Sequence, residues 1–389
     1  MYDVIVIGGG PVGSYVAYKL AGTGHKVVVL EQKEKLGGHV CCTGIISQEC
    51  VDSFTIDDSV VLNRASSAKL FTSSGRLLRL WRQETQSCIV DRAAFDMSMA
   101  KRAQDNGAQY VLNNPVKGIE VKDDRVRVKV AQQGKEIDFE ARAVVIATGF
   151  SSRLTERLAL GKISDFVMGV QAEVETIGVQ EMEIYFSQEM APGFFAWLVP
   201  TSALKALVGL AVHRNSKTYL RKFILFLKSQ GKIASADVNP SYRAIPLKPL
   251  PRTYSQRLIV VGDAAGQVKP TTGGGIYFGL LSADIAAKIL DRALDNNALS
   301  AKNLAAYERE WKRKLGRELK IDYYARKFYE HLSDSQIDRA FDIIKSVGID
   351  EILRKRDDLA FDWHGEAILK LLGHGILSKA VKTMRIRSG

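Results

Sequence analysis

The sequence predicts an α/β protein in two discontinuous domains, closed by a helical C-terminal region. Three observations carry that prediction. The chain opens on an apolar strand, Asp3-Val4-Ile5-Val6-Ile7, that runs into Gly8-Gly9-Gly10-Pro11-Val12-Gly13 and a helical pattern from Ser14 to Leu20. More than half the chain later, Leu258-Ile259-Val260-Val261 runs into Gly262-Asp263-Ala264-Ala265-Gly266, then Pro270 and Gly273-Gly274-Gly275. Between them lie segments that alternate apolar and polar residues, the pattern of an antiparallel sheet with one covered face. The early glycine unit and the late strand-Gly-Asp unit together predict a Rossmann-like FAD-binding domain. The alternating segments predict a mixed, largely antiparallel β-sheet substrate domain.

Each element of the first unit has a chemical reason. Gly8 permits a tight turn after the strand. Gly10 lets backbone approach a diphosphate with no Cβ in the way, and Gly13 lets the helix pack closely on the strand. Pro11 opens the helix without an N–H of its own, and the unpaired N–H groups of the first turn, from Val12 onward, face the diphosphate. A second apolar strand, Val27-Val28-Val29-Leu30, stops at Glu31, with Gln32 beside it. A carboxylate at that spacing accepts from the adenosine ribose hydroxyls, and it would repel the 2′-phosphate of NADP.

The chain is then expected to leave this domain and come back. The expected return is at Cys88-Ile89-Val90-Asp91-Arg92, followed by a helix to about Asn106 with Phe95, Met99 and Ala103 inward. Tyr110-Val111-Leu112 reads as a strand, and Val116–Val121 with Arg125–Val130 as a hairpin. Ala143 to Ala147 is another buried strand, ended by Thr148-Gly149. The second domain is read from Val167–Val174, Glu181–Phe186, Phe194–Val199 and Ala206–Val212. In that reading strand alternation sends Phe195 and Trp197 to one face and Phe194 to the other. From Leu299 the pattern is helical. Residues 1–50, 88–159 and 251–298 are thus assigned to the FAD-binding domain. Residues 51–87 and 160–250 go to the substrate domain, and 299–389 to the helical C-terminal region.

In the late unit, Asp263 is placed to hold the ribityl hydroxyls. Backbone N–H groups from Gly273, Gly274, Gly275 and Ile276 face the flavin N1–C2=O edge, where reduction puts negative charge. Arg92 has two readings: a partner for the FAD phosphates or ring, or an ordinary surface ion pair.

Composition sets the outer bounds. At 389 residues, 46% hydrophobic and 25% charged, the chain suits two ordinary globular domains. The longest apolar stretch, Phe194 to Val212, holds Pro200 and Lys205 and reads as two strands rather than a membrane span. With no signal peptide ahead of the first strand, a cytoplasmic location is expected. Cys41, Cys42, Cys50 and Cys88 lack the spacing of a metal site, so no metal is expected. The net charge of +12 calls for an anionic partner. An acidic substrate and an anionic membrane surface are both open; with no nucleic-acid-binding signature, nucleic acid is not expected. The tail from Ile368 to Arg387 is basic and apolar by turns. It reads as a peripheral membrane contact or as a core helix with a basic outer face.

These residues resemble the geranylgeranyl reductase family of FAD-dependent enzymes, which are built like aromatic hydroxylases. The likeness runs from residue 1 to about 290. It rests on Gly8 to Glu31, on Arg92-Ala93-Ala94-Phe95-Asp96, on Gly262 to Ile276, and above all on Pro192-Gly193-Phe194-Phe195-Ala196-Trp197-Leu198-Val199-Pro200. The last is similar to the family's Pro-x-x-Tyr-x-Trp-x-Phe-Pro signature, with Phe195 in place of Tyr and Val199 in place of Phe. Both changes keep an apolar surface, and the first removes a hydroxyl. The resemblance implies hydrogenation of C=C bonds in the isoprenoid (geranylgeranyl or polyprenyl) chains of lipids, by hydride from reduced FAD. Phe194, Phe195, Trp197 and Leu198 would line the lipid cavity, though without the resemblance Phe194, Phe195 and Trp197 read first as ordinary core aromatics. Cys41-Cys42-Thr43-Gly44 fits the cysteine loop that many members hold near the flavin ring. Either Cys41 or Cys42 would be the catalytic thiol there, or a small buried hydrophobe. Gly44 and Gly149 fall among the implied cofactor contacts.

The alternative is an FAD-dependent monooxygenase or hydroxylase. Such enzymes carry Asp-Gly-x-x-Ser-x-x-Arg where this chain has Thr148-Gly149-Phe150-Ser151-Ser152-Arg153, so the Asp is replaced and the Arg comes early. No second dinucleotide unit is present, which leaves transient NAD(P)H docking or an acidic ferredoxin as electron donor. No cysteine follows Cys88, which argues against a cluster-bearing quinone reductase.

Overall fold

The computed structural model describes residues 1–38, 40–132, 135–346 and 361–363. The basic tail beyond Trp363 lies outside the described residues. The first sheet is centred on Tyr2–Ile7. Val27–Leu30 and then Gln109–Val111 pair on one side, Lys135–Ile146 and then Leu258–Val260 on the other, all parallel. Ile7 aligns with Leu30 and Ile146, and Ile146 with Val260, so four strands end together. The hairpin Val116–Val121 and Val126–Gln132 hangs antiparallel from Lys135–Ile146.

These strands are apolar throughout because both faces are covered. Val4, Val6, Val27, Val29, Ala143 and Val145 face helices Pro11–Gly22, Arg92–Asp105 and Ile276–Asp295. Ile5, Ile7, Val28, Leu30, Val144 and Ile146 face the hairpin side. The right-handed crossover expected between parallel strands accounts for the helices on the first face.

The second sheet runs Ser241–Pro246, Phe166–Glu175, Lys205–Val212, Ala196–Pro200, Met182–Phe186, Ser67–Thr72, Leu77–Trp81. All neighbours are antiparallel except Met182–Phe186 with Ser67–Thr72. Helix Ser216–Ser229 covers one face through Leu220, Phe223, Ile224 and Leu227. A small sheet of Ile45–Ser47, Ser87–Val90 and Val61–Ala65 lies between the two large ones in sequence.

Three expectations change. Segment 51–87 does not belong whole to the second domain. Val51, Phe54, Ile56 and Val60 pack into the first core, and the second sheet begins at Ser67. Helix Gln48–Phe54 points its apolar side at the first domain, which keeps the chain there. Nor does the described part of the helical region from 299 stand apart. Helix Ala301–Glu330 buries Leu304, Tyr307, Trp311, Leu315 and Leu319 in the first core. Its far end lies against the second sheet, with Tyr323 packed on the cluster of Val167, Phe194, Ala211 and Leu247 and Tyr329 against Phe186. Finally, the strand expected over Phe194–Val199 begins only at Ala196. Phe194 and Phe195 lie in the preceding turn, so strand alternation does not separate them. No helix among the described residues is long and apolar enough to cross a membrane.

Candidate cofactor and substrate site

The four aligned strand ends deliver four short turns to one edge of the first sheet: Gly8–Gly13, Glu31, Ala147–Gly149 and Val261–Asp263. Gly8 has φ +108°, and a Cβ there would lie 2.4 Å from the Ala147 carbonyl oxygen. A Cβ on Gly13 would lie 2.1 Å from the Gly8 carbonyl oxygen. Only glycine fits either place. Around Gly10 nothing lies within 4 Å of where a Cβ would stand, so the chain faces open space there. Pro11 is the first residue of the helix, and Gly10 caps it with no side chain. The first-turn N–H groups are therefore free to meet an anion.

Glu31 is buried at 8% exposure and fixes this loop. Its Oε2 accepts from the Gly9 N–H at 2.7 Å and its Oε1 from the Lys33 N–H at 3.0 Å. A carboxylate has lone pairs to spare beyond two such bonds. Gln32 beside it is exposed.

The early and late units meet through Val12. Its methyls lie 3.2 Å from where a Cβ on Gly262 would stand and 2.6 Å from that of Gly279. Gly279 belongs to helix Ile276–Asp295, which Gly275 caps, again with no side-chain bond. Two uncapped helix N-termini thus converge across Val12. Asp263 stands between them: a Cβ on Gly275 would sit 2.6 Å from Asp263 Oδ1. Gly273, at φ +74°, is flanked instead by Ile245 at 3.4 Å and Phe194 at 3.7 Å. The glycine loop therefore joins the carboxylate to the aromatic side of the second sheet.

Two arginines enter this space. Arg92, the first residue of helix Arg92–Asp105, is buried and donates to Asp96 at 2.8 Å, while its Nε has no hydrogen-bond partner. The surface ion-pair alternative is corrected on burial: this is an interior pair. Burial opposes its charge, but Cys42 and Asp96 outweigh that and raise its pKa further. Arg243 was not foreseen. It leaves the edge strand Ser241–Pro246 and donates to Asp263 Oδ2 at 2.5 Å, with its Nη2 3.6 Å from the Cβ position of Gly149. Asp263 and, next, burial in opposition set its raised pKa. Nothing in the sequence marks Arg243, because it lies on an alternating strand of the other domain.

The cysteine loop closes the same space. Gly44, at φ +74°, packs against the Val90 carbonyl and Arg92, and its N–H points to Cys42 Sγ at 3.4 Å. Thr43 donates to Gln171 of the second sheet at 3.1 Å. Cys41 and Cys42 are both free and half-buried. Burial pushes the Cys41 thiol up, with the Ser241 hydroxyl and Arg243 pulling the other way.

Phe194 and Phe195 stack at 4.5 Å, and Phe195 meets Trp197 edge-on at 6.0 Å. A Cβ on Gly209 would strike the Trp197 ring at 2.5 Å, so that glycine makes room for the indole. Phe195 and Trp197 are half-buried, and Trp197 Nε1 has no hydrogen-bond partner. Leu198 does not join them: it is fully buried on the opposite face, against helix Ser216–Ser229. Strand alternation from Ala196 is the reason.

One support under the late unit also escaped the sequence. Gln267 accepts from the Gly262 N–H at 2.8 Å and donates to Tyr307 at 2.8 Å, and Tyr307 donates to the Val260 carbonyl at 2.9 Å. The residues fit an FAD: two glycine cradles that a Cβ would fill, two uncapped helix ends, the buried Glu31 carboxylate at one end, the half-buried Asp263 at the other and an orphaned Arg92 Nε.

Comparison with known proteins agrees with this geometry. The family model described as lycopene cyclase protein matches residues 3–343. The chain is 32% identical over 351 residues to a digeranylgeranylglycerophospholipid reductase of Methanocaldococcus jannaschii, spanning 87% of this chain and 89% of that protein. A geranylgeranyl bacteriochlorophyll reductase-like protein of Thermoplasma acidophilum superposes with a TM-score of 0.87 at 25% identity, over 99% of this chain and 98% of that one. A halogenase in complex with FAD superposes with a TM-score of 0.68 at 13% identity, over 100% of this chain and 92% of its own, a likeness of fold alone.

Proposed function

The chain belongs to the geranylgeranyl reductase family of FAD-dependent oxidoreductases, and we propose that it hydrogenates C=C bonds in the isoprenoid chain of a lipid. The observation that carries this reading is the junction at the glycine loop Gly273–Gly275. On one side stands Asp263 of the cofactor cradle, on the other Phe194 and Ile245 of an aromatic, half-buried sheet face.

Reduced FAD supplies the hydride when bound. The chain's own residues do the rest. The end of helix Pro11–Gly22 and Glu31 hold the diphosphate and adenosine ribose. Asp263, oriented by Arg243, holds the ribityl chain. The N–H groups at Gly275 and Ile276 favour negative charge on the pyrimidine edge. Phe194, Phe195 and Trp197 exclude water and press an alkene against the cofactor. An isolated alkene is a poor hydride acceptor, so this positioning matters more than polarisation. Burial keeps the Cys41 thiol protonated at neutral pH, which suits it to face a reacting carbon as an acid. The lipid is proposed to enter from an anionic membrane surface, which the net charge of +12 favours. The electron donor is proposed to be NAD(P)H or a ferredoxin.

The test is anaerobic. The protein is reduced with dithionite, polyprenyl lipids are added, and their masses are followed. The expected result is a gain of two hydrogens per double bond with reoxidation of the flavin. Unchanged lipids, together with NAD(P)H oxidation in air stimulated by an aromatic compound, would replace this reading with the monooxygenase one.

A further inference from the structure

One buried cation stands where elementary electrostatics would not put it. Lys269 opens the loop that carries Gly273, Gly274 and Gly275 into helix Ile276–Asp295. Its N–H donates to the Gly274 carbonyl at 3.1 Å, and its carbonyl accepts from the Gly273 N–H at 2.8 Å, so its backbone closes the loop. Its side chain then folds back against that loop. The Cε lies 3.1 Å and the Nζ 3.7 Å from the Cβ position of Gly274. The Nζ is also 5.9 Å from the ring of Phe278, in the first turn of the helix. Lys269 is only 4% exposed. A desolvated ammonium group therefore sits at the positive end of a helix dipole, an arrangement that disfavours a cation.

Asp362, 3% exposed, pairs with this ammonium group, and its second oxygen, Oδ2, has no hydrogen-bond partner. Trp363 packs beside it on Phe278 at 5.5 Å. Of the two charges, the ammonium is the nearer to the Cβ position of Gly274. Elsewhere the loop is tied to helix Ala301–Glu330, where the Thr271 hydroxyl donates to the buried Asp322 at 3.0 Å. The Lys269 charge is felt by that carboxyl as well.

We propose that Lys269 sets the reduction potential of the bound FAD. This rests on the flavin edge lying at Gly275 and Ile276, as proposed above, and not on the identity of the substrate. Oxidised FAD takes two electrons and one proton from its donor, and the product carries negative charge on the N1–C2=O edge. A cation behind the loop adds to the helix N-terminus in stabilising that charge, and it acts strongly because the interior screens it little. Asp362 opposes it from farther away, so the pair keeps the sign of the nearer charge. The cation that disfavours this helix end in the oxidised protein thus favours the reduced cofactor. Lys269 acts across the loop and is a positioning residue, not a catalytic one.

The experiment titrates the full FAD-loaded protein reductively against a reference dye, with no lipid present. It compares the wild type with Lys269→Met, Lys269→Arg and Asp362→Asn. K269M should lose roughly tenfold of its preference for reduced over oxidised FAD, a potential lower by about 30 mV for a two-electron couple. K269R should keep the wild-type potential. D362N, which removes the opposing charge, should raise it. The opposite signs are diagnostic. A residue that only braced the loop would weaken oxidised and reduced FAD alike in both variants, and the potential would not move. If K269M does not fold, the double variant K269M/D362N removes both buried charges together, a replacement that proteins commonly tolerate. It should shift the potential in the same direction as K269M, by less. An unchanged potential in K269M or in the double variant would overturn the proposal, and so would shifts of one sign in K269M and D362N. Failure of the wild type to hydrogenate any lipid would remove the reductase reading and leave these potentials standing.

Discussion

At the residue scale, the site is made by atoms that are missing. Gly8 combines φ +108° with an Ala147 carbonyl 2.4 Å from its Cβ position, and neither backbone can move without breaking the parallel ladder. Gly8→Ala should cost about 1–3 kcal/mol from backbone strain alone, more with the clash. It should lower FAD affinity in a fluorescence-quenching titration, whereas Gly24→Ala, with φ +93° but open space, should show the strain in stability and leave FAD affinity intact. Asp322 gives a prediction with a definite sign. Its carboxyl is raised from 3.8 to about 7 in the folded protein. A raised group stabilises the fold fully below its unfolded pKa, and that stability is lost as pH rises through the folded value. Wild-type stability should therefore decline between about pH 4 and 7 by more than that of Asp322→Asn. Parallel urea titrations at pH 5 and 8 would check this, and equal declines in both proteins would refute it. Much of this scale was legible in sequence. Gly8, Gly10, Gly13, Glu31, Asp263 and Gly275 announce themselves because their chemistry is local: a turn, a cap, a strand end. Arg243, Gln171 and Asp322 were not legible, because each acts across a contact that only folding creates. A lone arginine on an alternating strand looks the same whether it meets solvent or Asp263.

At the element scale, two helices whose N-termini carry no side-chain cap face one carboxylate. Natural helices generally satisfy these donors with Ser, Thr, Asp or Asn, as Asp91 does for helix Arg92–Asp105 by accepting from Ala93 and Ala94. Gly10 and Gly275 decline that role where an anion is expected. The late cradle needs a support from outside, and helix Ala301–Glu330 provides it through Tyr307. Tyr307→Phe would strand the Gln267 amide and the Val260 carbonyl in a fully buried place. Each unsatisfied group costs about 1–3 kcal/mol. The variant should lose stability in denaturant and, because Gln267 holds the Gly262 N–H, bind FAD more weakly. Leu299 onward read as helical from its apolar spacing, but periodicity cannot say which neighbour an apolar face will meet. The same limit explains Phe194 and Phe195. Alternation rules apply only where a strand has begun, and the turn at Ala191–Phe195 delays it to Ala196.

At the scale of the whole molecule, the two sheets are not independent modules that happen to share a chain. Arg243 crosses from the second sheet to Asp263 of the first, Thr43 crosses back to Gln171, and one 30-residue helix packs under both. Its early residues, Tyr307 and Trp311, sit in the first core. Its late residue Tyr323 donates to Asp165 at 2.8 Å, just ahead of the second sheet's long strand. A cofactor lying along the shared edge would contact both sides and belong to neither. Unfolding should therefore be cooperative across the described domains, with a single thermal transition for the FAD-loaded protein. Removal of FAD should lower that transition as a unit. At a free FAD concentration of about 100 times Kd the cofactor contributes roughly 2.7 kcal/mol to the folded state, so the shift should grow with the logarithm of FAD concentration. Calorimetry of the apo and loaded protein would decide it. Two transitions of which only one responds to FAD would mean that the Arg243–Asp263 and Thr43–Gln171 bridges do not couple the domains. The aromatic face at Phe194 would then be positioned by the cofactor alone.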